Sequence, residues 1–130
     1  MYPELNNGDL LLAVSRRTLN RFDLIVFRDP LHPKKNIIKR LIAFAGEHVR
    51  FKEGQLYIDN RATPWPGSPG GRNLLQQDLS VVTPKDKCFV LGDNPYGSRD
   101  SRQIGPIPDS LIWARVLFRL WPPKLIGSFE

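Results

Sequence analysis

Four side chains in this sequence could do chemistry together: Lys39, Ser98, Asp100 and Arg102. The last three stand at alternate positions in the run Gly92-Asp93-Asn94-Pro95-Tyr96-Gly97-Ser98-Arg99-Asp100-Ser101-Arg102. If that piece is extended, all three project from one face, with Cα atoms two residues apart separated by roughly 6.5 Å. A hydroxyl, a carboxylate and a guanidinium in a row can hydrogen-bond in series, the arginine bridging the carboxylate with its planar fork. The bland alternative is a polar turn with a solvated ion pair worth ~0–1 kcal/mol. Lys39 poses a similar choice, because it shares the face of an apolar run with Ile37 and Leu41. Its stem can lie over that surface with the ammonium in water. Alternatively, burial can lower its pKa from about 10.4 toward neutrality, since a low dielectric disfavours the charged form. A neutral amine at pH 7 can take the proton of a serine hydroxyl, which is the Ser-Lys variant of nucleophilic catalysis.

These residues need a frame, and the pattern is one of short strands. Twelve prolines and ten glycines punctuate the 130 residues, so the expectation is strands joined by turns in one domain spanning 1–130. Buried strands are expected at Leu10 to Val14, Leu24 to Phe27 and Ile37 to Ile42, with Arg40 on the face opposite Lys39. Val49 to Phe51 and Leu56 to Ile58 form a hairpin-like unit turned at Glu53-Gly54 and closed at Asp59-Asn60. Leu79 to Val82 and Cys88 to Leu91 follow, the latter feeding the Gly92 turn. Pro108-Asp109-Ser110 caps a short helical turn before a strand from Leu111 to Leu120, which Trp121-Pro122-Pro123 terminates. The Pro/Gly-rich stretch from Thr63 to Arg72 is the expected flexible loop. The fold class is mostly β with very little helix, read as a twisted, partly closed antiparallel barrel.

Composition narrows the function classes. Net charge is +6, from 19 basic and 13 acidic residues. The basic residues are scattered, with no basic tract or aromatic-basic platform, which argues against nucleic acid. The same charge suits an anionic membrane surface. One cysteine, Cys88, rules out an intrachain disulfide and a cysteine-cluster zinc site. With His32 and His48 the only histidines, neither a metal nor another cofactor is expected. Both histidines read as surface residues without an aspartate partner, Cys88 as a small core residue, and Trp65, Trp113 and Trp121 as packing or loop anchors. No apolar run approaches the ~20 residues of a membrane span.

Taken together, these pieces resemble type I signal peptidase, the membrane-bound Ser-Lys protease that removes secretory signal peptides. The family pattern has four ordered boxes: Ser-Met-x-Pro-Thr-Leu, a strand beginning Arg-Gly-Asp, Lys-Arg-x-Ile-Gly-x-Pro-Gly-Asp, and Gly-Asp-Asn…Ser-x-Asp-Ser-Arg. Here they appear as Met1-Tyr2-Pro3-Glu4-Leu5, Arg21-Phe22-Asp23, Lys39 through Glu47, and Gly92 through Arg102. Within the lysine box Ala43 stands for Gly, Ala45 for Pro and Glu47 for Asp.

The resemblance implies that Lys39 is the general base and Ser98 orients its amine, with Asp93, Asp100 and Arg102 supporting the site. Met1, Leu5, Ile37 and Ile38 would line shallow pockets for small residues at the substrate's −1 and −3 positions. Substrate would bind extended against strand edges, and cleavage would follow an Ala-x-Ala-like stretch. The nucleophilic serine of the family stands immediately before the position of Met1, so the expectation is a chain that begins late, lacks the preceding membrane anchor and is inactive as given. The partners implied are signal peptides of secretory preproteins and the membrane surface, with the catalytic face on the trans side. Rival readings are a nickel superoxide dismutase maturation protease of the same family, an inactive peptide-binding relative, and Ser98 itself as nucleophile.

Overall fold

The computed structural model describes residues 5–15, 18–64, 78–93 and 99–129. Met1, Ser98, the Asn94 to Gly97 turn and most of the Thr63 to Arg72 loop lie outside them. The short apolar runs become strands: β1 Leu10–Ser15, β2 Leu24–Arg28, β3 Asn36–Ala43, β4 His48–Lys52, β5 Gln55–Ile58, β6 Arg61–Ala62, β7 Leu79–Val82, β8 Lys87–Leu91, β9 Ile107–Pro108, β10 Ile112–Trp121 and β11 Gly127–Ser128. One short helix, α1 (Ser101–Ile104), and two single 3₁₀ turns complete the described elements.

All strand pairs are antiparallel, in two sheets. The larger has the order β1-β10-β2-β3-β8-β9, with β11 on β10; the smaller has the order β6-β5-β4-β7. The turn chemistry explains the small sheet. Glu53-Gly54 joins β4 to β5 and Asp59-Asn60 joins β5 to β6, all four residues with positive φ of 49–76°. Two-residue loops with positive φ match the natural twist of a hairpin, and Gly, Asn and Asp tolerate that region best. The architecture is antiparallel and mostly β with very little helix, as expected from sequence, and both described sheets are open paths with no closed barrel among the described residues.

Alternation along the strands sorts side chains into three apolar clusters. One joins the two sheets: Ile42, Phe89 and Leu91 from the larger meet Val49, Phe51, Leu56 and Ile58 from the smaller. A second gathers Ile25, Phe27, Leu41, Cys88, Val90, Ile107 and Ile112, with Ile37 packed against it. The third, on the other face of β2, holds Leu5, Leu24, Val26, Ala114 and Val116, with Leu11, Ile38 and Phe129 against it. Each is a face of the sheet that would otherwise stay in water, and burying a Leu, Ile or Phe there contributes ~1.5–3 kcal/mol.

Three expectations need correction here. β1 is a strand but not a buried one, with Leu10 and Leu12 exposed, because it lies at the edge of its sheet. The turn at Pro108-Asp109-Ser110 is a 3₁₀ turn over Asp109–Leu111 and has no side-chain cap. Trp113 and Trp121 are not packed inside: both are about half exposed.

Candidate active site

Strand β3 places Lys39 and Arg40 on opposite faces. Register pairs Lys39 with Ile25 and Arg40 with Leu24 on β2, so the lysine lies on the Ile37–Leu41 side, as its spacing predicts. Lys39 is half-buried. Burial lowers its pKa below the ordinary lysine value; Asp100 pulls it back up, Arg102 lowers it further and Asp93 raises it. Burial wins because an ammonium loses more hydration there than the surrounding charges return. The same amine thus feels Asp93, Asp100 and Arg102, all named from the sequence.

The carboxylates are held rigidly. Asp100 is fully buried and is the N-cap of α1 in a capping box: its side chain accepts from the Arg102 N–H, while the Gln103 side chain accepts from the Asp100 N–H. Its Oδ2 also accepts from the Gly92 N–H at 2.8 Å, which ties the end of β8 to the start of α1. Arg102 reaches back with Nε and Nη2 to the two oxygens at 2.8 and 2.6 Å. The expected extended alternation is corrected from Asp100 to Arg102, where the chain turns into a helix; Ser98 lies outside the described residues. The ion pair survives because the side chain folds back over its own cap, and it is buried rather than solvated. Ser101, next to it, accepts from the Val90 N–H and completes the clamp on β8.

Asp93 has a partner that sequence reasoning left unassigned. Arg40 donates Nε and Nη2 to its two oxygens at 2.9 and 2.8 Å in a buried setting, and Nη1 to the Phe22 carbonyl at 2.9 Å. The signal was the adjacency of Lys39 and Arg40: in a strand, neighbours must face opposite ways, so one buried face had to receive a guanidinium. A second fork joins Arg21 to Glu47 at 2.9 and 2.6 Å, and Glu47 also accepts from the Phe44 N–H. Glu47 thus pins the turn after β3, two boxes of the sequence pattern meeting in space.

Of the anticipated pocket residues, Leu5 and Ile38 come together in one cluster while Ile37 lies on the opposite face with Phe27. Beside Asn36–Ile38, the edge of β3 away from β2 has no described strand, since β8 pairs only from Arg40 onward. The histidines are corrected in one respect. His32 Nδ1 lies 3.4 Å from Asp29, which is buried and whose carboxyl is held low by the Leu31 N–H; the aspartate three residues earlier went unread. Among the described residues, no group of His, Cys, Asp and Glu could hold a metal ion, and no helix is long and apolar enough to cross a membrane.

A family model described as signal peptidase, peptidase S26, matches residues 1–121. The chain belongs to the peptidase S26 family. It is 35% identical over its full length to the mitochondrial ATP-independent inner membrane protease subunit 1a of Arabidopsis thaliana, covering 70% of that protein. It is equally 35% identical to signal peptidase I V of Bacillus subtilis, with 86% of this chain and 75% of that one aligned. A crystal structure of a signal peptidase I from Enterococcus faecalis superposes with a TM-score of 0.64 at 30% identity, covering 74% of this chain and 94% of the other. The mostly β, antiparallel fold is therefore a signal peptidase I fold, and membership in S26 makes peptide-bond hydrolysis the activity class.

Proposed function

We propose that this chain is the catalytic β portion of a signal peptidase that works through a Ser-Lys dyad, with Lys39 as general base. The observation that carries the reading is Lys39 itself: a lysine on an apolar face, its pKa lowered by burial, beside the clamped Asp100–Arg102 pair. The nucleophile is the serine that the family motif puts directly before Met1. Its hydroxyl gives its proton to the neutral Lys39 amine and attacks the scissile carbonyl. The resulting ammonium returns that proton to the leaving amine, and Lys39 then activates water for deacylation. Ser98 orients the amine, and the nucleophile's backbone N–H stabilises the oxyanion. Asp93, held by Arg40, and Asp100, held by Gly92 and Arg102, support the site.

Substrate lies extended along Asn36–Ile38, adding a strand where no described strand sits, with Leu5 and Ile38 on one face and Ile37 on the other. Shallow pockets there admit small residues at −1 and −3. The exposed Leu10, Leu12, Phe118, Leu120, Trp121, Leu125 and Ile126 support a membrane-surface location, with the catalytic face on the trans side. The small sheet built from residues 48–82 favours the general signal peptidase over the compact maturation protease.

The test adds the serine before Met1 and measures cleavage of an Ala-x-Ala peptide. Cleavage that disappears in Lys39→Ala supports the dyad, and the 130-residue chain alone should bind the peptide without cutting it. Cleavage indifferent to Lys39 overturns it, and cleavage by the unextended chain that Ser98→Ala abolishes would make Ser98 the nucleophile. Binding with no cleavage in any form points to the inactive peptide-binding relative. The relatives named for mitochondrial inner membranes support a second substrate class. Peptides drawn from secretory and from mitochondrial precursors, compared by kcat/KM, separate the two.

A further inference from the structure

At one end of the larger sheet, Arg28, Pro33, Lys34, Asn36 and Trp113 line an open groove of about 510 Å³. Each wall is fixed by a separate structural cause. Arg28 and Asn36 are paired across β2 and β3, so they share the sheet face that carries Val26 and Ile38. Ile112 pairs with Phe27 but Ala114 with Val26, so Trp113 is the extra residue of a β-bulge. A bulge re-aims its side chain; the indole N–H of Trp113 donates to Asn36 Oδ1 at 3.1 Å. Lys34 sits in a turn closed by the Lys35 N–H to the His32 carbonyl at 2.8 Å and the Asp29 N–H to the Lys35 carbonyl at 2.9 Å.

The groove's charge is one-sided. Among the described residues, neither Arg28 nor Lys34 has a carboxylate within ion-pair distance, and the nearest in sequence, Asp29, is buried and turned to Leu31 and His32. Asn36 uses its oxygen on Trp113, which leaves its amide protons facing the groove as further donors. A guanidinium, an ammonium and an amide beside an indole face form a receptor for a carboxylate.

We infer that this groove is a further substrate subsite, which takes an acidic side chain of the bound peptide at a distance from the scissile bond. The inference rests on the proposed peptide-binding edge of β3. Asn36 is the first residue of that strand and Lys39 lies three residues on, about 10 Å. Side chains of an extended peptide alternate, so those sharing the Ile38 face reach Asn36 and Trp113 next. Most of the exposed large apolar residues suited to a lipid surface are at the far end of β10, with Trp121 eight residues from Trp113, about 26 Å; at the groove end the exposed ones are Leu31 and Trp113. That separation assigns the groove to the peptide rather than to a lipid headgroup.

The 130-residue chain is titrated with labelled Ala-x-Ala peptides carrying Glu or Gln singly at each position on either side of the small residues. One position should bind about fivefold tighter as Glu than as Gln, with a change in Trp113 fluorescence that Trp113→Phe removes. The preference should vanish in the Arg28→Gln/Lys34→Gln double variant and at about 1 M salt, with the affinity for the neutral peptide and the melting temperature unchanged. No Glu preference at any position, or one that survives the double variant, overturns the subsite while neutral binding leaves the peptidase reading intact. Failure of every peptide to bind sinks the peptide-edge reading and the subsite with it. If the double variant instead loses binding to vesicles containing anionic lipid and keeps its peptide preferences, the groove belongs to a lipid headgroup.

Discussion

The pH behaviour of Lys39 follows from the charges around it. Its pKa is lower in the folded chain than in the unfolded one, chiefly through burial. Below the folded value both states are protonated, and the folded state bears the whole cost of a buried ammonium. Stability therefore rises with pH from the lowered folded pKa up to the unfolded value near ~10.4. Lys39→Met should raise the melting temperature at neutral pH, and the gain should shrink as pH climbs through that window. In the serine-extended enzyme, the acidic limb of kcat/KM should report the same deprotonation below the usual lysine range. Arg102→Gln removes a repelling charge, so it should move that limb to higher pH, a shift that simple loosening of the loop would not give a fixed sign. The Arg40–Asp93 pair makes a different demand. Asp93→Ala leaves a buried guanidinium without its carboxylate, with the Phe22 carbonyl still accepting one bond, and should cost about 3–5 kcal/mol in urea unfolding.

Among the elements, the entry to β2 carries visible strain. The family pattern has Gly between Arg and Asp there; this chain has Phe22, at φ 73°. A side chain in that region costs roughly 1–2 kcal/mol, and the packing of the ring against the inter-sheet cluster offsets it. Its carbonyl must face Arg40, which is why the backbone keeps this conformation whatever the side chain. Phe22→Ala loses the ring and keeps the strain, whereas Phe22→Gly loses both. Gly should therefore be the milder substitution by about 1 kcal/mol, the reverse of the order at an ordinary strand residue. Equal or inverted losses in denaturant unfolding would show that the conformation is not imposed. The helix α1 is also shaped from outside itself: four residues are too few to be stable alone, and its N-cap Asp100 is held by the Gly92 N–H just after β8, while Val90 of β8 donates to Ser101.

For the whole molecule, most of the exposed large apolar residues among those described gather where β1, β10 and the C-terminal segment meet, with Leu31, Val82 and Trp113 elsewhere. Leu10 pairs with Trp121 and Leu12 with Phe118, and all four are exposed. Replacing Leu12 and Trp121 together by Ser should weaken binding to lipid vesicles several-fold, because the apolar area entering the interface falls. The fold should be nearly unaffected, since neither side chain is buried. Unchanged vesicle binding would remove the membrane role of this face.

Much of this was legible in the chain before its structure. Short apolar runs marked the strands at Leu24 to Phe27, Ile37 to Ile42 and Leu56 to Ile58, and Lys39 falls on one face and Arg40 on the other because side chains of a strand must alternate. Glu53-Gly54 and Asp59-Asn60 marked their hairpins because few residues accept positive φ. The sequence boxes named Asp93, Asp100 and Arg102. The tertiary structure alone decided what those groups touch. Arg40 meets Asp93 across 53 positions, the helix at Asp100 is held because the Gly92 N–H just after β8 reaches its cap, and Trp113 faces a groove because its two neighbours on β10 pair with adjacent residues of β2. Local sequence sets the direction of a side chain, but burial and ion pairing depend on segments that the chain brings together only by folding.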